Sequence, residues 1–113
     1  MPYIKITTNK AITKNLEDTL KDELGQAIEI FPGKSERWLM ISFHGGVPMA
    51  FSGSFEDCCM VEIDIFGSAD EQVYDKMTAA VSDIISRCLK ISPERIYTKY
   101  SEFEHWGNAD FNF

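Results

Sequence analysis

Pro2 stands directly behind the initiator methionine, and the pair Met1-Pro2 carries the sharpest chemical possibility in the chain. Removal of Met1 would expose a secondary amine as the first atom of the protein. An α-amine has an unperturbed pKa of about 7.7 to 8.0, and apolar surroundings disfavour its charged form, so such an amine can serve as a neutral general base near pH 7. No side chain supplies an equivalent. Taken alone, however, a proline at the start of an edge strand has an ordinary explanation, because it occupies a position where no ladder donor is needed. With Met1 retained, the amine is masked.

The other reactive side chains exclude more than they suggest. Cys58, Cys59 and Cys88 cannot all pair within one chain, and a bridge between the adjacent Cys58 and Cys59 would be strained, so free buried thiols are expected. His44 and His105 have no ligand-like spacing with the cysteines, and no metal site is expected. The Gly45-Gly46 step lacks the strand-to-helix glycine fingerprint of nucleotide sites, and the acidic run from Glu17 to Glu23 reads as a solvated helix face.

Eleven Lys plus Arg against 18 Asp plus Glu give a formal net charge of -7 with no basic stripe, which makes nucleic acid a poor partner. No apolar stretch approaches the roughly 20 residues needed to span a bilayer, so no membrane partner is expected. Lys5, Asn9 and Lys10 interrupt the start of the chain before a signal-peptide core can form. The expected compartment is cytoplasmic, with secretion that uses no signal peptide as the alternative.

These residues must be positioned by one compact unit. The 113 residues, 44% hydrophobic and 26% charged, suit a single domain over 1–113 with a core of its own. Tyr3 to Thr8 alternates Ile4 and Ile6 with polar or aromatic neighbours, as a half-buried strand does. Leu16, Leu20, Leu24, Ala27, Ile28 and Phe31 then lay an apolar stripe along a helix, with Thr13 as its expected N-cap and Pro32-Gly33 as its end. Trp38 to His44 alternates again, Leu39, Ile41 and Phe43 inward. Gly45 to Ser54 reads as a loop with a short extended piece at Met49 to Phe51.

Cys58 to Phe66 gives the clearest strand, with Cys59, Val61, Ile63 and Ile65 inward. A second amphipathic helix runs through Val73, Met77, Ala80, Val81, Ile84, Ile85, Cys88 and Leu89, and Pro93 blocks its continuation. Arg95 to Phe103 is the last main strand, and His105 to Phe113 is expected to be an aromatic tail. The order strand, helix, strand, repeated once, predicts an α+β fold. Two βαβ units form a four-stranded mixed sheet with both helices on one face.

The other face of that sheet would carry Tyr3, Lys5, Trp38, Met40, Ser42, Met60, Glu62, Asp64, Phe66, Tyr97 and Lys99. Large apolar side chains around a charged centre suit neither a dry core nor an ordinary solvated surface. They suit a partly wet interior of an assembly, and an oligomer is expected.

Pro2, Gly33-Lys34, Met49-Ala50-Phe51-Ser52-Gly53-Ser54 and Ile91-Ser92-Pro93-Glu94-Arg95-Ile96-Tyr97 together make the chain resemble the macrophage migration inhibitory factor family of the tautomerase superfamily. The resemblance runs nearly end to end, and the last two stretches are its specific part. It implies the tautomerase fold, a homotrimer whose sheets surround a central channel, and keto-enol tautomerisation of phenylpyruvate-type 2-oxo acids in pockets between subunits, without a cofactor. Pro2 matches the family's catalytic base. Lys34 matches the lysine that engages the substrate carboxylate or developing enolate, where a fixed ammonium lowers the energy of new negative charge. Tyr97 matches a pocket wall contributed by a neighbouring subunit. Phe66 falls where the family has an aliphatic residue whose backbone amide contacts ligand, so only the backbone role transfers.

Two further departures bear on specificity, and a third on redox chemistry. Lys99 stands where asparagine is common in the family, and Trp38 where tyrosine is. Lys99 beside an anionic ligand would strengthen carboxylate binding, and beside Pro2 it would depress the amine's pKa or fill the site with its own chain. Val61 stands at the second position of a Cys-x-x-Cys pair, so a redox role for Cys58 is not carried over. The competing class is a cytokine-like binding protein that acts on a receptor with vestigial catalysis. Hydration or dehalogenation of an unsaturated acid ranks last, because Arg37, Arg87 and Arg95 do not match the arginine pair which that chemistry uses.

Overall fold

The computed structural model describes Met1–Phe113. Strand β1 (Pro2–Thr8) is followed by helix α1 (Lys14–Ala27), β2 (Met40–His44), β3 (Cys59–Phe66), α2 (Glu71–Leu89) and β4 (Ile96–Phe103). A short hairpin, β5 (Gly107–Asn108) with β6 (Phe111–Asn112), ends the chain. The sheet order is β2-β1-β3-β4, with β1 and β2 parallel, β1 and β3 antiparallel, and β3 and β4 parallel. Each parallel pair is joined by one helix, so the two βαβ units meet along the antiparallel β1/β3 seam.

Strict alternation in β1 and β3 sends every second side chain to the core. Ile4, Ile6, Val61, Ile63 and Ile65 are fully buried there, in one cluster with Leu20 and Leu24 of α1 and Met77, Val81 and Ile85 of α2. Each such side chain contributes about 1.5 to 3 kcal/mol of transfer free energy, which makes this layer the main stabilising element of the chain. Thr13 caps α1 as expected, its Oγ1 accepting from the Leu16 N–H at 3.3 Å.

Several boundaries differ from expectation. The α-helix stops at Ala27 and continues as a 3-10 turn over Ile28–Ile30, which still keeps Ile28 and Phe31 in the core. Helix α2 ends at Leu89; the Lys90 N–H still bonds the Ser86 carbonyl, and its left-handed backbone (φ 59°) turns the chain out of the helix, while Pro93 opens a 3-10 turn, Pro93–Arg95. Trp38 is not a strand residue. It closes a 3-10 turn over Glu36–Trp38, and β2 starts at Met40. As an edge strand, β2 leaves Ile41 and Phe43 only half-buried.

The extended piece expected at Met49 to Phe51 shrinks to a two-residue turn. Phe51 and Ser54 exchange backbone hydrogen bonds across Ser52 (φ 53°) and Gly53 (φ 72°). The expected tail is a hairpin. At Gly45 the chain passes the β1–α1 connection so closely that a Cβ would lie 2.9 Å from the Ile12 backbone nitrogen.

The face of the sheet turned away from the helices matches its expected composition except for Trp38. Tyr3, Lys5, Ser42, Met60, Glu62 and Asp64 are half-buried there, while Met40, Tyr97 and Lys99 are exposed. The register lines up Lys5, Glu62 and Lys99 in one row, and the Lys99 ammonium sits 3.3 Å from a Glu62 carboxylate oxygen. Burial, reinforced by the nearby Glu62, pushes the Asp64 carboxyl above the usual carboxylate range.

Candidate active site

Pro2 begins β1 opposite Ile65, and it is buried. The backbone around it is tied to the end of β3, where the Phe66 N–H donates to the Met1 carbonyl at 3.0 Å. Lys34 comes from the loop after α1. Gly33 turns that loop with a left-handed φ of 78°, and the Lys34 ammonium donates to the Phe66 carbonyl at 3.1 Å. Three positions distant in sequence, the N-terminus, Lys34 and Phe66, thus share one end of the sheet.

The electrostatics of this end favour a neutral amine. Burial lowers the pKa of the N-terminal amine, carried here by Met1, and the Lys34 charge and a hydrogen bond from Lys34 lower it further. Lys34 is itself lowered by burial, an effect partly offset by that same hydrogen bond. An ammonium beside an amine whose protonated form is disfavoured, at the edge of an apolar core, is an arrangement that can remove a proton and hold the negative charge left behind.

Aromatic side chains lie at the same end of the sheet. Phe66 pairs in register with Phe103, and its ring centre lies 6.0 Å from that of Phe113, which the terminal hairpin folds back. A cleft of about 440 Å³ opens between Phe66, Phe103, Glu102 and Glu104, and a smaller one of about 210 Å³ lies between Lys34, Pro32, Asp70 and Val73. Trp38 belongs to the same end of the sheet, since it precedes Met40, the register partner of Tyr3; the Arg37 guanidinium lies 4.9 Å from its ring centre. The tail aromatics are legible in the sequence as apolar residues, but the hairpin that delivers Phe113 to Phe66 is not.

Tyr97 and Lys99 lie elsewhere. Tyr97 is opposite Met60 and hence Thr7, whereas Pro2 is opposite Ile65. Five strand residues separate the two rows, about 17 Å at 3.3 Å per residue. Lys99, in the Glu62 row, is three residues from Pro2's row, about 10 Å along the sheet, and engaged by Glu62. Within one chain neither the depressed amine nor the blocked pocket expected of Lys99 arises, because the register holds it away from Pro2.

The cysteines are free. Cys58 and Cys59 are buried, and burial pushes the Cys59 thiol up to about 12, the opposite of an activated thiol. Cys88 is half-buried, with its Sγ 3.4 Å from Glu23.

With this geometry in place, the comparisons with known proteins agree with one another. The family model for macrophage migration inhibitory factor (MIF) matches residues 1–111. The macrophage migration inhibitory factor homolog of Wuchereria bancrofti is 29% identical over 108 residues, covering 92% of this chain and 90% of the relative. The macrophage migration inhibitory factor of Meriones unguiculatus is 28% identical over 118 residues, covering 98% and 99%. Among solved structures, Leishmania major MIF2 superposes with a TM-score of 0.94 at 25% identity, over 100% of this chain and 97% of the other. The homologue from Prochlorococcus marinus gives 0.83 at 28% identity, over 98% of each.

Proposed function

This chain belongs to the macrophage migration inhibitory factor family, within the tautomerase superfamily, and we propose that it catalyses keto-enol tautomerisation of phenylpyruvate-type 2-oxo acids with Pro2 as the general base. The observation that carries this reading is the convergence of a buried chain start, the Lys34 ammonium and the Phe66 backbone, with the N-terminal amine lowered by burial and by Lys34.

Loss of Met1 makes Pro2 nitrogen the N-terminal amine in these surroundings and frees the Phe66 N–H, which Met1 otherwise occupies through its carbonyl. In the keto-to-enol direction, Pro2 nitrogen accepts the proton from the carbon α to the substrate carbonyl. The C–H electron pair becomes the C=C bond, and the carbonyl oxygen takes on negative charge. Lys34, which no carboxylate neutralises, holds that oxygen or the substrate carboxylate, and the Phe66 N–H supplies a second donor. Protonated Pro2 then returns the proton to the oxygen, which balances the reaction without a cofactor. Trp38, Phe66 and Phe113 provide the apolar walls for an aromatic substrate.

The pocket is completed by a second copy. Tyr97 and Lys99 lie at and toward the end of the sheet away from Pro2, so they contribute only to the site of a neighbouring subunit, and a homotrimer that closes such contacts in a ring suits the half-buried second sheet face. The test is phenylpyruvate and hydroxyphenylpyruvate turnover by protein whose N-terminus is verified by intact mass, compared with Pro2→Gly. Activity that needs Pro2 and rises with pH below the range of a free α-amine supports the reading. No turnover from a correctly processed assembly overturns it and moves the site to the binding of a protein partner.

A further inference from the structure

The two sequence stretches that mark this chain's family, Met49–Ser54 and Ile91–Tyr97, meet in space at the far end of the sheet. Arg95 reaches from the second into the first. Its Nε donates to the Asp57 carbonyl at 2.9 Å, Nη1 to Phe51 at 3.1 Å, and Nη2 to Ser54 at 3.3 Å and Glu56 at 3.0 Å. No carboxylate pairs with it. The guanidinium carbon also lies 5.1 Å from the ring centre of Phe51, and that ring packs edge-on against Tyr97 with centres 4.7 Å apart. Tyr97 is left more than half exposed.

A planar fork that satisfies four carbonyls at once fixes a loop far more narrowly than a point charge can. We infer that Arg95 is a positioning residue: by locking the Phe51 ring it fixes how Tyr97 projects into the pocket of a neighbouring copy, and so sets that pocket's fit to a flat apolar substrate end. The inference rests on the reading above that Tyr97 walls a neighbour's site. Asn9 pins the same loop from the other side, through the Phe55 and Glu56 carbonyls and the Cys58 N–H, without touching Phe51. It therefore separates a loosened loop from a misdirected Tyr97.

The experiment measures kcat and KM for phenylpyruvate in Arg95→Ala, Phe51→Leu, Asn9→Ala and Tyr97→Ala, all with Met1 removed. Arg95→Ala and Phe51→Leu are expected to raise KM about 5- to 10-fold, the scale of one lost aromatic contact, with kcat within about twofold. Asn9→Ala is expected to leave both within about twofold. Arg95→Ala chains refolded with an excess of Pro2→Gly chains should recover the unaltered KM, because each surviving base then faces an intact Tyr97 from its neighbour. If Arg95→Ala does not assemble, Phe51→Leu carries the same readouts. An equal rise in Asn9→Ala, or no recovery on mixing, overturns the inference in favour of a purely structural Arg95. No change in Arg95→Ala and Phe51→Leu while Tyr97→Ala raises KM overturns it but leaves the role of Tyr97 standing. No effect of Tyr97→Ala removes the reading beneath it.

Discussion

At the Pro2 end of the sheet, reactive groups are held by the backbone. Lys34 bonds the Phe66 carbonyl, the Phe66 N–H bonds the Met1 carbonyl, and burial lowers the N-terminal amine. At the Tyr97 end the relation is reversed, because there a side chain holds the backbone. Arg95 gathers the Phe51, Ser54, Glu56 and Asp57 carbonyls, and the Phe51 ring beside it packs against the outward-facing Tyr97. The first end gains chemistry from desolvation, which shifts proton affinities. The second gains shape, with nothing to desolvate it inside its own chain. A reaction that needs both a shifted base and a fitted wall calls for two copies to bring unlike ends together.

The largest loss is expected at the amine. Protein purified with Met1 attached, or carrying Pro2→Gly, is expected to lose about 10²- to 10⁴-fold in kcat for phenylpyruvate, the range spanned by general-base catalysis. Intact mass with steady-state kinetics checks it, and full activity with Met1 in place would sink the assignment of Pro2. Next comes Lys34→Ala, expected to cost about 10²-fold in kcat/KM. That change should also move the rising limb of the pH profile upward. Lys34 lowers the pKa of the N-terminal amine that Met1 carries here, and the same charge would act on a Pro2 amine in that place; a base works in its deprotonated form, so removing the ammonium should delay deprotonation to higher pH. A pH–rate series reads both effects.

A smaller effect sharpens the contrast in position. Lys99→Asn removes the partner of Glu62, and turnover with its pH profile tests whether Lys99 reaches a neighbour's ligand. A KM rise of about 2- to 5-fold is expected for a lost exposed charge contact to a carboxylate, and an unchanged profile and rate would remove Lys99 from the site. Smallest is the thiol test, which alters no residue at either end. Alkylation at pH 8 followed by peptide mapping should label Cys88 first: burial and Glu23 raise its thiol too, but it is half-buried, whereas Cys58 and Cys59 are buried and out of the reagent's reach.

The sequence was most informative where side-chain direction depends only on the local backbone. Ile4 and Ile6, the Cys59 to Ile65 alternation and the Leu20, Leu24, Met77 and Val81 stripes all lie in the core as their spacing requires. It failed at Trp38, whose alternation with Met40 imitates a strand. The chain leaving Gly33 instead spends Glu36–Trp38 in a 3-10 turn before it can join β1 in parallel. It failed again at the tail, where two-residue strands leave no periodicity to read.

By itself, then, the sequence determined the alternation of strands and helices, the absence of a metal-ligating spacing, and the possibility of a proline amine as base, because each is a property of residue type and near-neighbour spacing. Only the tertiary structure decided which of those residues are neighbours. Lys34 meets Phe66, and Tyr97 is held about 17 Å from Pro2's row, through the register of β1 with β3 and of β3 with β4. Register is set by how two helices crossing the sheet bury their apolar stripes together, and that is a condition on the whole core which no local stretch of the chain contains.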